Sequence, residues 1–344
     1  MSDGDVLIVN GNEVLSLLQG KEGELIEVVR RAYATHGGGD SSLPHSTFLK
    51  FPGEPRNRVI ALPAYLGGDF EVAGIKWVAS FPDNHQRGLD RASAIVILNS
   101  SLTGRPQAIL EGSVVSAKRT AASAVLAARS LHTGVLTSAG MIGCGPINLE
   151  TARFLISTFP ELEKLFILDV DKARAERFKG SVAALGNKLG VEIEEEVCDV
   201  LKQTPLISFA TTAIKPHVYD LSACQPGSTI LHISLRDLSP EVILSCDNIV
   251  DDTDHVCRAQ TSLHLAEQLV GQRDFIRCTL ADILGGAAAA RRDDESLAVF
   301  SPFGLGVLDV AVSTLVCDLA RKEGRGTVIR SFLPETWDQN AVIH

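Results

Sequence analysis

Two hydrophobic periods alternate along this 344-residue chain, and each change of period marks a change of structure. Asp5–Val9 is an apolar run that reads as a short strand, after which Asn12 is expected to cap a helix through Leu18. From Lys21 to Thr35 apolar residues recur at helical spacing, and Gly37-Gly38-Gly39 ends the segment. A shorter period then takes over. Ser46–Phe51, Arg58–Tyr65, Val72–Ser80, Ala94–Asn99 and Pro106–Glu111 are rich in strand formers and separated by Gly, Pro and Asn turns, which predicts one mostly antiparallel sheet.

Helical spacing returns in the alanine-rich stretch Ser113–Ser130. Behind it, Val135–Asp169 reads as strand, glycine turn, helix (Asn148–Thr158) and a second strand (Leu165–Leu168) that ends in an acid. The alternation continues with a helix at Lys172–Leu185, strands at Val191–Val197, Leu206–Ala210, Thr229–Ile233 and Asn248–Val250, and helices at Thr253–Leu269 and Leu280–Ala290. Such alternation predicts an α/β protein with a Rossmann-type doubly wound parallel sheet. Arg291–Glu295 reads as a solvated loop, and Gly304-Leu305-Gly306 opens a last helix, Val307–Arg321, apolar on most faces. Packed back on the first sheet, that helix would complete an α+β domain for substrate binding and dimerisation. The expected domains are therefore 1–128 with 307–344, and 129–306.

The strand, turn, helix and strand at Val135–Asp169 carry the chemistry of dinucleotide binding. Gly143 permits the tight turn, Gly145 lets backbone approach a pyrophosphate, and the helix that follows Pro146 and Ile147 points its amides at the phosphates. Asp169, ending the second strand, can accept hydrogen bonds from a ribose diol and would repel a 2′-phosphate, which favours NAD over NADP. Asn148 replaces the third glycine of the fingerprint and is expected to crowd the helix against the strand. Thr211, Thr212 and Ser234 follow strands at their carboxyl ends and, with Gly304, complete the candidate cofactor contacts.

Composition narrows the partners. Hydrophobic residues at 45% and charged ones at 22% describe an ordinary globular protein, and a formal net charge of -10 argues against a nucleic-acid partner. Seven scattered cysteines without a C-x-x-C pair suggest reduced thiols, not a disulfide framework or zinc site. The acidic start, MSDGDV, lacks the cations of a signal peptide, and no apolar run reaches membrane-spanning length, so a cytoplasmic location is expected.

Any cations that matter must then be local. Lys76, inside the apolar strand GIKWVAS, and Arg119, in the helix SAKRTAASA, occupy positions where cations are unusual. With Arg58, Arg87 and Arg91 near them in sequence, they suggest a site for a small anionic substrate, although each could instead reach solvent or meet a structural acid. Asp237, in HISLRDLSP just past a strand end, is a candidate proton acceptor or, alternatively, a helix cap. Asp251, Asp252 and Asp254 lack a matching metal-ligand cluster and suit loop and cap roles. His232 reads as a packing residue, His45 stays open, and no hydrolase or kinase signature is present.

Through GIKWVASFPDN, KRTAASA, IGCGPI, HISLRDL and SPFGLGVLDVAV the chain resembles the ornithine cyclodeaminase and mu-crystallin family along most of its length. The resemblance implies a homodimer built on the first domain and a nicotinamide cofactor on the second. It also implies that Lys76 and Arg119 hold the substrate carboxylate and that Asp237 handles the amine proton. SFPDNHQRGLDRASAIVILN and FGLGVLD look most like the branch that supplies 2,3-diaminopropionate for siderophores, by oxidative cleavage of N-(2-amino-2-carboxyethyl)-L-glutamate. Arg91 lies in the first of these stretches. The arginine that cyclodeaminases place before their second strand has no counterpart in SSLPHSTF, which offers only His45, and this departure weighs against ornithine or lysine cyclisation. A non-catalytic, crystallin-like dinucleotide binder is the reading from another class, against which Lys76, Arg119 and Asp237 together argue.

Overall fold

The computed structural model describes residues 4–185 and 189–333. Its strands are β1 (Val6–Val9), β2 (Ser41–Ser42), β3 (Thr47–Phe51), β4 (Glu54–Leu66), β5 (Val72–Ser80), β6 (Ala92–Ser100), β7 (Pro106–Glu111), β8 (Ser138–Ile142), β9 (Lys164–Leu168), β10 (Gly190–Ile193), β11 (Leu206–Phe209), β12 (Thr229–His232), β13 (Asp247–Val250), β14 (Ile276–Thr279), β15 (Ala298–Ser301) and β16 (Thr327–Ile329). The helices are α1 (Gly11–Leu17), α2 (Glu22–Gly37), α3 (Gly112–Leu131), α4 (Pro146–Thr158), α5 (Lys172–Ala183), α6 (Val197–Gln203), α7 (Pro240–Ser245), α8 (Thr253–Val256), α9 (Ser262–Val270), α10 (Leu280–Leu284) and α11 (Gly306–Glu323).

The chain divides into two compact units, one of Met1–Lys21, Gly38–Ser116 and Leu305–His344, the other of Glu22–Gly37 and Ala117–Gly304. These differ from the expected domain bounds because α2 and the greater part of α3 group with the second unit. There α2 packs on α4 and α10, so closely that a Cβ at Gly37 would stand 2.7 Å from that of Ala281. Residues 334–344 of the expected first domain lie outside the described residues.

In the first unit the strands run β16-β1-β7-β6-β5-β4-β2, with β3 also on β4, and every pairing except β1 with β7 is antiparallel. The mostly antiparallel sheet read from the period of two is therefore present. One face is covered by α11, which reaches β4, β5 and β6. Gly74 permits this approach, since a Cβ there would lie 2.5 Å from Ile97 O and 3.0 Å from Val310 Cγ1. The first helix is capped by Asn10, not by Asn12. Asn10 Oδ1 accepts from Glu13 N at 3.1 Å and Glu13 returns the bond to Asn10 N at 3.0 Å, a reciprocal capping box.

The second unit holds an all-parallel sheet in the order β10-β9-β8-β11-β12-β15-β13-β14. Two of its strands, β14 and β15, were not foreseen, and β15 lies centrally between β12 and β13. The segment expected to stay extended to Val197 stops at Ile193, and Val197 starts α6, which buries Val200 and Leu201. The long helix expected over Thr253–Leu269 is broken by left-handed backbone at Ala259 (φ 53°) and Gln260 (φ 56°), and that over Leu280–Ala290 stops at Gly285. Nor is Arg291–Glu295 merely solvated. Arg291 Nη1 donates to Leu131 O at 2.8 Å, and Arg292 N donates to Asp247 Oδ2 at 3.0 Å, tying the loop to the end of α3 and to β13. No helix among the described residues is long and apolar enough to cross a membrane.

Candidate cofactor and substrate sites

Gly143 adopts φ +92° at the end of β8, and a Cβ there would fall 2.5 Å from Ala210 O, so only glycine closes this turn. Gly145 precedes α4 in extended conformation, and a Cβ on it would meet nothing within 4 Å. No side chain caps α4, and Pro146 at its first turn has no N–H to lose. Open space above Gly145 and uncapped amides behind Pro146 and Ile147 fit a pyrophosphate. Asn148 does not crowd the packing. It is wholly buried, Nδ2 donates to Ile142 O (3.1 Å) and Gly143 O (2.7 Å), and Oδ1 accepts from Ser208 Oγ (2.7 Å), so it pins turn, helix and β11 together.

Asp169 follows β9, and its carboxylate takes the N–H of Cys144 at 2.8 Å and of Asp171 at 2.9 Å. It thus braces the glycine turn from the position where an adenosine ribose would arrive, with lone pairs left for a diol. Burial, then the Asp169 charge, push the Cys144 thiol up to about 12, which leaves it inert at neutral pH.

At the carboxyl ends of β11 and β12, Asp237 lies wholly buried. Thr211 Oγ1 and Ser234 Oγ both reach its carboxylate, and His217 Nε2 stands 3.0 Å from it. His232 contributes more than packing, for its Nε2 accepts from Asp237 N at 3.2 Å and also lies 3.4 Å from the carboxylate. Burial alone would push the Asp237 carboxyl up, but the bond from His217, the closeness of the His232 imidazole and the Ser234 hydroxyl outweigh it and hold the group well below the ordinary carboxylate range. The adjoining helix is capped by Ser239 and not by Asp237. Thr212, next to Thr211, is exposed. His217 was missed in the sequence because only the fold brings it to Asp237; its side chain stays 40% exposed.

Arg119 is buried on α3 in the same unit. Gly304, at φ +91°, lies against it, since a Cβ there would stand 2.9 Å from Arg119 Nη1. Asp251, at the end of β13, accepts from Phe303 N (2.9 Å) and Gly304 N (2.7 Å) and so fixes this turn. Asp252 caps α8 and Asp254 pairs with Arg273, so the three acids of VDDTDH are engaged in loop, cap and ion-pair roles.

In the first unit Lys76 keeps 2% of its side chain exposed, and its Nζ stands 2.7 Å from Asp309 Oδ2 and 3.1 Å from Ser116 Oγ. Asp309, on α11, is wholly buried. The signal for it was legible, a single acid inside the apolar run GVLDVAV, yet nothing along the chain pairs it with a lysine over two hundred positions away. His45 and Arg91 are exposed, the former between β2 and β3, the latter just before β6.

A model of the ornithine cyclodeaminase/mu-crystallin family matches residues 10–324. N-((2S)-2-amino-2-carboxyethyl)-L-glutamate dehydrogenase of Staphylococcus aureus is 26% identical over 314 residues, 89% of this chain and 93% of that protein. Alanine dehydrogenase of Archaeoglobus fulgidus is 27% identical over 339 residues, 95% of this chain and 99% of that protein. A solved archaeal alanine dehydrogenase dimer with bound NAD superposes with a TM-score of 0.85 at 25% identity, covering 95% of this chain and 99% of that one.

Proposed function

This chain belongs to the ornithine cyclodeaminase/mu-crystallin family, and from that premise we propose that it cleaves N-(2-amino-2-carboxyethyl)-L-glutamate oxidatively to 2-oxoglutarate and L-2,3-diaminopropionate. It is an NAD-dependent oxidoreductase acting on a C–N bond. The observation that carries the finer reading is Lys76, a cation set in the protein interior by Asp309. A desolvated ammonium is a strong seat for a substrate carboxylate or for the oxygen of a developing carbinolamine. Arg119, with its bidentate fork, holds a carboxylate, and Arg91 and His45 supply further polar contacts to a substrate that carries three of them.

NAD, when bound, supplies the hydride acceptor for the glutamate α-carbon. Gly143, Gly145, Pro146, Ile147, Asp169, Thr211, Thr212, Ser234 and Gly304 are the residues proposed to hold it. An amine yields hydride only when neutral, so a protein group must take its proton. Asp237 is proposed to govern that transfer. Buried and saturated with donors, it acts through His217, whose partly exposed imidazole it orients, in the manner of a carboxylate–histidine pair. Water then adds to the imine carbon, and proton return to the departing nitrogen releases the two products.

The purified protein should reduce NAD when given N-(2-amino-2-carboxyethyl)-L-glutamate, with 2-oxoglutarate and 2,3-diaminopropionate formed in equal amounts, as followed by NADH absorbance and amino-acid analysis. His217→Gln should lower turnover by roughly 10²-fold, the usual scale for losing a general base. Conversion of ornithine or lysine without net NADH would point to cyclodeamination instead. NAD binding with no turnover of any amino acid would leave a crystallin-like binder.

A further inference from the structure

One face of the first unit's sheet carries two polar side chains, Arg58 and Ser80, that this mechanism does not use. β4 and β5 pair with Arg58 opposite Ser80, Ile60 opposite Val78 and Leu62 opposite Lys76. Side chains alternate between the faces of a sheet, so Arg58 and Ser80 stand on the same face as Lys76, four residues further along β5. Ser80 is buried, and its Oγ has no hydrogen-bond partner among the described residues. Arg58 Nε is in the same position. Phe81 N donates to Arg91 O at 2.8 Å, which fastens Arg91 beside this end of β5.

Register brings the two arginines to the same end of the sheet, since Arg58 pairs with Ser80 and Ser80 pairs with Ala92, the residue after Arg91. Partial burial lowers the pKa of Arg58, and in Arg91, which stays exposed as a residue, the part that is covered and then the charge of Arg58 lower it too. Neither forms an ion pair among the described residues, whereas Arg56, exposed and two positions earlier, is matched by Asp83 at 2.5 Å. Like charges held together beside a buried, unpartnered hydroxyl cost free energy, and an anion placed among them would remove both penalties. Guanidinium forks suit a carboxylate best.

We propose that Arg58, Ser80 and Arg91 form a second carboxylate subsite, distinct from Lys76, that selects substrates bearing more than one carboxylate. The inference rests on the amino-acid oxidation proposed above and deepens it. Four residues of strand separate the Cα atoms of Lys76 and Ser80 by roughly 13 Å. A ligand with a single carboxylate cannot serve both positions, and one with carboxylates spread along its length can.

Calorimetric titration in the presence of NAD, with citrate as the polycarboxylate probe and pyruvate as the monocarboxylate, tests the subsite without requiring turnover. Arg58→Gln, Ser80→Ala and Arg91→Gln should each weaken citrate by about tenfold or more, about what losing one charge-assisted contact costs. Pyruvate affinity should hold, and the surface variant Arg56→Gln should match wild type with both probes. In parallel, the KM for N-(2-amino-2-carboxyethyl)-L-glutamate should rise more than kcat falls. Citrate that fails to bind wild type, or binds all three variants equally well, overturns the subsite even if NADH continues to form. Weakened citrate binding in a protein that oxidises no amine would preserve the subsite and overturn the oxidation.

Discussion

Asp237 and Asp309 are both wholly buried acids, yet their surroundings differ in kind. Asp309 faces one ammonium at 2.7 Å, and breaking such a pair by removing one partner typically costs about 3–5 kcal/mol because a charge is left behind. Asp237 is surrounded by hydroxyls and imidazoles that hold its carboxyl below the ordinary range. A group with a depressed folded pKa adds stability above its unfolded value of about 3.9, and that contribution disappears as pH falls through the folded value. Asp237→Asn should therefore be about 1–3 kcal/mol less stable than wild type at pH 7. It should also lose less between pH 5 and pH 3, as read by urea denaturation. Parallel pH curves for the two proteins would show that Asp237 has no such linkage.

The glycine turn depends on two elements meeting through one amide. Sequence alone makes Asn148 look like an intrusion, because the fingerprint position usually carries a residue without a side chain. In the fold its amide satisfies carbonyls at the end of β8 and the Ser208 hydroxyl on β11, none of which is adjacent to it along the chain. Asn148→Ala should take this partner from the Gly143 carbonyl and the Ser208 hydroxyl, while Ile142 O keeps the Ala210 N–H, and should lower stability by about 1–3 kcal/mol. The loosened turn should also weaken NAD. Gly143→Ala should weaken NAD further, since its Cβ strikes a backbone oxygen and the φ is left-handed. Thermal unfolding with and without NAD separates the two effects. An Asn148→Ala protein with wild-type melting and NAD shift would show that the amide is dispensable.

Across the molecule, Trp77 and Ile95 stand side by side on β5 and β6, on the sheet face opposite Lys76, and remain 40% and 42% exposed. Apolar surface of that kind marks association. We propose that the first unit's sheet forms a homodimer across this face. Sedimentation velocity at micromolar concentration should show a dimer, and Trp77→Lys with Ile95→Lys should yield single chains. A wild-type protein that sediments as a single chain at every concentration would end the proposal.

Much was legible along the chain because it depends on neighbours in sequence. The period of two announced the antiparallel sheet, and the turn at Gly143 with Asp169 announced a dinucleotide, since both follow from local backbone geometry. Helix ends and short central strands were not. The β15 run Ala298–Ser301 has four buried residues and no measurable period, and its place between β12 and β13 is set by pairing, not by pattern. The unusual cations Lys76 and Arg119 stood out because burial of charge is costly for any fold. What balances Lys76 did not, because Asp309 arrives from a distant segment. Tertiary structure alone chose that partner, through the requirement that a charge removed from water meet its complement.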